Sequence, residues 1–116
     1  MNKEEIRPII LTDTETGEKY TLEFTTESVK YAQLKEFSID DLDKKPLVVL
    51  PDLFYYAFRA HHRNISREKV DKIRKEVEPI STAFLERLCQ LYYLPYLEMV
   101  DDGEEERKNA KVTVEL

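Results

Sequence analysis

The chain has 116 residues, of which 41% are hydrophobic and 36% charged, and it carries a net charge of −6. That is the length of one domain with enough apolar content for one modest core, and the acidic balance runs against non-specific nucleic-acid binding, which draws on Lys and Arg. Two glycines are too few for a Gly-rich phosphate loop or an extended β-sandwich, and a single cysteine excludes an intrachain disulfide or a Cys-based metal site.

The opening Met1-Asn2-Lys3-Glu4-Glu5 has no apolar h-region, so a secretory signal is not expected. Ile9-Ile10-Leu11 is a short run of strand-forming residues, and Tyr20-Thr21-Leu22-Glu23-Phe24 alternates apolar and polar with period two. Between them, Thr12 to Glu18 is polar and includes Gly17, which takes the positive φ that hairpin loops often require. The pattern predicts a β-hairpin with Tyr20, Leu22 and Phe24 facing the core.

Thr25 or Thr26 then offers an N-cap, and Glu27 suits the positive end of a helix dipole, so a short helix is expected over 27–36. Phe37 to Pro46 is a connector pinned by Phe37, Ile39 and Leu42. Its Asp40-Asp41-Leu42-Asp43 lacks the central Gly and terminal Glu of a calcium loop. Leu47 to His62 is apolar nearly all round, as befits a central helix, which should begin close to Pro51 because proline fits only a first turn. Asn64 and Ser66 are caps for an amphipathic helix over 67–76, with Val70, Ile73 and Val77 as its apolar positions, and Glu78-Pro79 breaks it. Ser81 caps a further helix with Phe84, Leu88 and Leu91 on one face, and Pro95 ends or kinks it.

From Asp101 the composition changes. Residues 101–110 read as a charged linker after a single α+β domain over 1–100. Residues 111–116, Lys111-Val112-Thr113-Val114-Glu115-Leu116, alternate as a half-buried strand does, and either join the hairpin as a third strand or hang free. The expected architecture is therefore an N-terminal hairpin, with or without that strand, packed on about four helices. No apolar run approaches the roughly 20 residues of a membrane span, which points to a cytoplasmic protein.

No constellation carries a recognisable chemistry. Adjacent His61 and His62 point about 100° apart on a helix and do not share a metal; they suit a helix C-terminus. Cys89, among Leu85, Leu88, Leu91 and Tyr92, reads as a buried apolar thiol rather than a nucleophile. Nucleophile-elbow, P-loop, dinucleotide and zincin patterns are all missing, so no catalytic residue, cofactor or metal is expected and the chain reads as a non-enzyme. Arg59, Arg63, Arg67, Lys69, Lys72, Arg74 and Lys75 form a basic stretch, the basis of an alternative reading as a small DNA-binding regulator. Interleaved Glu68, Asp71, Glu76 and Glu78 make that stretch a solvated face, so nucleic acid is an unlikely partner. The aromatic clusters Phe54, Tyr55, Tyr56 and Tyr92, Tyr93, Tyr96 exceed what one helix face buries, and they are the candidate partner-binding residues.

The whole pattern resembles a known family. Arg7-Pro8-Ile9-Ile10-Leu11-Thr12-Asp13, Gly17 to Thr25, Leu53-Phe54-Tyr55-Tyr56-Ala57-Phe58-Arg59 running into His61-His62, Ser66-Arg67-Glu68-Lys69 and the ending Lys111 to Leu116 are similar to the tail assembly chaperones of long-tailed phages and prophages of Gram-positive hosts. The resemblance implies a non-enzymatic protein of the host cytoplasm. Such a protein coats the helical tape measure protein, keeps it soluble while the tail tube polymerises, and is absent from the finished virion. Acting in many copies along one client, it is also a candidate for self-association.

Overall fold

The structure, a computed structural model, describes residues 6–100 and 112–116. Strands β1 (Ile9–Thr12) and β2 (Lys19–Leu22) form an antiparallel hairpin, followed by helices α1 (Thr26–Leu34), α2 (Pro46–Phe58), α3 (Arg67–Val77) and α4 (Thr82–Met99). A single 3-10 turn over Ile39–Asp41 lies between α1 and α2. The fold is α+β, as the sequence pattern implies.

The hairpin register pairs Ile9 with Leu22 and Leu11 with Tyr20. Its loop is closed by Asp13, whose Oδ1 accepts from the N–H groups of Glu15 at 2.8 Å and Thr16 at 3.1 Å, while Gly17 takes φ 77°. The same hydrogen bonds hold the Asp13 carboxyl below its ordinary pKa. Tyr20, Leu22 and Phe24 are buried in the core as the alternation requires.

Three helices start on the residue types that chain chemistry favours. At α1, Thr25 Oγ1 accepts from Ser28 N–H at 3.1 Å and Ser28 Oγ accepts from Thr25 N–H at 2.8 Å, a reciprocal capping box. Ser66 accepts from Lys69 N–H at 3.1 Å to cap α3, and Ser81 accepts from Phe84 N–H at 3.0 Å to cap α4. The end of α1 is a Schellman turn. Glu36 adopts φ 67°, its N–H donates to Gln33 O, and the N–H of buried Phe37 donates to Ala32 O.

Prolines lie within two of the helices, one of them against expectation. Helix α2 begins at Pro46, not near Pro51, because Pro46 supplies the preset φ of a first helical residue. Pro51 then lies inside the helix, where it lacks the N–H that Leu47's carbonyl would otherwise accept from. This is one hydrogen bond near the start of the helix, against the burial of Leu53, Phe54, Ala57 and Phe58 farther along. Likewise Pro95 does not end α4, which continues to Met99.

The core joins β2, α1, α2 and α4, with Leu22, Leu53, Phe54, Phe58, Leu88 and Leu91 essentially sealed from water. Each such side chain contributes about 1.5–3 kcal/mol relative to leaving it exposed. Helix α3 contributes Val70 alone to the fully buried set and shows mostly charged residues. Among the described residues a third strand is not formed: the sheet has two strands, and residues 112–116 are neither strand nor buried. The five residues of that segment offer only short pairing, and among the described residues nothing takes the ladder position on β1. The expected charged linker over 101–110 lies outside the described residues.

Candidate functional site

Helix α1 and the last turns of α4 run beside each other and leave a groove between them. One end, about 430 Å³, is lined by Thr26, Val29, Lys30, Gln33, Pro95, Tyr96 and Met99. The adjoining end, about 370 Å³, shares Val29, Gln33 and Tyr96 and adds Phe37, Ile39, Tyr92 and Tyr93. Val29 and Gln33 share a face because they are four residues apart on α1, and Tyr92, Tyr96 and Met99 share one because they are spaced four and three apart on α4. Exposed apolar side chains concentrate here: Tyr96 is 59% and Met99 71% exposed, and Tyr93, Leu97 and Val100 on the same turns are also exposed.

The six aromatic candidates therefore divide. Tyr93 and Tyr96 line the groove. Phe54, 1% exposed, is a core residue and is removed from the candidate set, because its ring fills the space between Phe58 and Phe84. Tyr92, 4% exposed, belongs to the core and reaches only the groove floor, where its hydroxyl accepts from Gln33 Nε2 at 3.3 Å. Burial raises the pKa of the Tyr92 and Tyr93 phenols, so both remain neutral donors. Tyr55 and Tyr56 are half-buried and not part of the groove: Tyr56 packs edge-on against Tyr31 and Phe37, and Tyr55 lies under the Arg67 guanidinium, 5.1 Å from its ring centre. Val29, Gln33, Pro95 and Met99 are groove residues that the sequence reasoning missed, although their three- and four-residue spacings were available to it.

The remaining constellations have structural roles. His61 and His62 follow the end of α2 and fasten the hairpin to it rather than capping the helix. His62 Nε2 accepts from Thr21 N–H at 3.0 Å, His61 pairs with Glu23, and Glu23 N–H donates to Ala57 O at 3.1 Å. Burial, reinforced by the neighbouring His61 and opposed by Glu18, lowers the His62 pKa below the ordinary histidine value. A base with a depressed folded-state pKa stabilises the fold fully above its unfolded value and loses that contribution as pH falls through the folded one. Lowering pH from about 7.5 to about 5.5, across the histidine range, should therefore reduce the urea midpoint. His62→Gln, which keeps an acceptor but does not titrate, should show a smaller reduction. Equal reductions in the two proteins would exclude His62 as the source.

Cys89 is half-buried and burial raises its pKa, which disfavours the reactive thiolate. In the basic stretch, Arg67 pairs with Asp52 at 2.9 Å and Asp71 at 3.1 Å, Arg74 with Glu78 at 2.8 Å, and Lys69 with Glu18 at 3.6 Å. Arg59 lies over the Tyr31 ring at 3.5 Å. Among the described residues, no group of three or more His, Cys, Asp or Glu converges as a metal site would require. No described helix is long and apolar enough to cross a membrane.

These features define a small α+β protein whose most developed surface is an open apolar groove between two helices. The chain belongs to the family described as Domain of unknown function (DUF5055), which matches it over residues 1–116. Neither a curated protein nor a solved structure matches it.

Proposed function

We propose that this chain is a non-enzymatic phage tail assembly chaperone that binds a helix of the tape measure protein and keeps it soluble in the host cytoplasm during tail assembly. The observation that carries the reading is the α1–α4 groove, which leaves Tyr96 and Met99 largely exposed on a heavily charged protein. An amphipathic helix lays its apolar face into such a groove through anchors spaced three and four residues apart, and contiguous exposed apolar surface marks interaction sites. The sequence resemblance supplies the identity of the client. Tyrosine and methionine suit the task, the first by combining an apolar ring with a polar tip and the second by adapting to uneven partners.

The DNA-binding alternative draws less support. Arg67, Lys69 and Arg74 each face a carboxylate already, and phosphate binding needs cations that displace counterions.

The test is co-expression with the tape measure protein encoded by the same phage. Soluble client that co-purifies through a tag on this chain is the expected result. Insoluble client and a chain that purifies alone would overturn the proposal, and retention on DNA that weakens steeply with salt would then favour the regulator.

A further inference from the structure

The two edges of the hairpin are treated differently by the rest of the molecule. The outer side of β2 is covered at Thr21, whose N–H donates to His62, and just past the strand at Glu23, whose N–H donates to Ala57 O. The outer edge of β1 is not. In an antiparallel pair, backbone groups alternate between facing the partner strand and facing away. Thr21 points its N–H away from β1, so Ile10, its cross-strand neighbour, points its N–H and C=O away from β2, and Thr12 does the same. Among the described residues these outward groups of Ile10 and Thr12 meet no hydrogen-bonding partner. The Ile10 side chain is 53% exposed beside them. Pro8, the preceding outward position, is a residue confined to sheet edges or strand starts.

The same chain carries the complementary element. Val112-Thr113-Val114-Glu115-Leu116 alternates β-branched or apolar residues with polar ones, forms no strand, and exposes Val112, Val114 and Leu116 to solvent. A single chain thus leaves both an open strand edge and a strand-like segment unpaired. A two-stranded hairpin gains from a third strand, and an extended segment adds to an exposed edge through main-chain hydrogen bonds.

We infer that the segment 112–116 of one copy adds to the outer edge of β1 of a second copy, so that copies associate head to tail. Such a contact is heterologous: each copy offers one edge and one strand, so the association either closes into a ring or continues as an open chain. The four-residue length of β1 keeps each contact weak, as short edges do, and the association is governed by concentration.

The test is the weight-average mass of the full chain in sedimentation over a wide concentration series. The expected result is a rise above the 13.8 kDa of one copy. Val114→Pro removes an N–H from an exposed segment that the folded domain does not use, and should stay monomeric. Ile10→Lys places a charge on the exposed edge and should also stay monomeric, with an unchanged circular dichroism spectrum confirming that it folds. Mixing the two should restore association, because the Val114→Pro chain keeps an intact edge and the Ile10→Lys chain an intact strand. The inference is overturned if the unmodified chain stays at one copy throughout, if either variant associates as the unmodified chain does, or if the mixture fails to associate. Amide protection of 112–116 in a monomer would overturn it in favour of closure within one chain.

Discussion

Replacing Phe54 with alanine should destabilise the domain by about 3–5 kcal/mol, the range for removing a buried phenylalanine. The ring is sealed from water, lies 5.3 Å from Phe58 and stacks at 6.1 Å on Phe84, so it joins α2 to α4. Domains of this size have total stabilities of about 5–15 kcal/mol, so the variant should unfold at a much lower urea concentration by circular dichroism, and part of it should be unfolded without denaturant. Tyr55→Ala is the useful comparison, since its ring is half-buried and faces Arg67, and its loss should be distinctly smaller. A Phe54→Ala chain with an unchanged midpoint and a selective loss of client would return Phe54 to the partner surface and contradict its place in the core.

Tyr96→Gln combined with Met99→Gln should separate binding from folding. Glutamine keeps good helix propensity, and both side chains are mostly exposed, so the midpoint should move by less than about 1 kcal/mol. Affinity for the client helix should fall at least about 30-fold, the equivalent of one lost interface anchor of 2 kcal/mol. Titration of a labelled client segment against both proteins reads this directly. Retained affinity would mean that the client is held elsewhere, whereas a collapsed midpoint would mean that these side chains hold α4 in place.

Local chemistry made much of this fold legible in the sequence. The period-two run placed Tyr20, Leu22 and Phe24 inward, and all three are buried. A hydroxyl ahead of a helical period narrowed the caps to Thr25 or Thr26, Asn64 or Ser66, and Ser81, and Thr25, Ser66 and Ser81 make the cap hydrogen bonds. Position within the core was less legible. Along 47–62 nearly every residue is apolar, so periodicity does not say which side faces inward, and Phe54 and Tyr92 were grouped with rings that reach the surface. The first turn of α2 was misplaced because Pro51 was weighed by its local penalty, while Pro46 and the packing of Leu53 to Phe58 settled the matter. The groove depends on α1 and α4 lying side by side, although 59 residues separate Gln33 from Tyr92. No local signal reports that juxtaposition. The three-residue spacing of Tyr96 and Met99 places them on one helix face but does not name its neighbour.

Pro95 bears on the shape of this groove. Lacking an N–H, it leaves α4 one rung short at Leu91's carbonyl, just before the turn that carries Tyr96 and Met99. The helix before it is clamped by Leu88, Leu91 and Tyr92 in the core, whereas the turn beyond it is exposed. One side of the groove thus follows a missing helix hydrogen bond at Pro95, whereas the other, α1, is fixed by a capping box and a Schellman turn. On the proposed function, a small rotation at Pro95 would widen the cleft while leaving Leu88, Leu91 and Tyr92 in the core, a property suited to a client helix whose side chains differ in size from turn to turn.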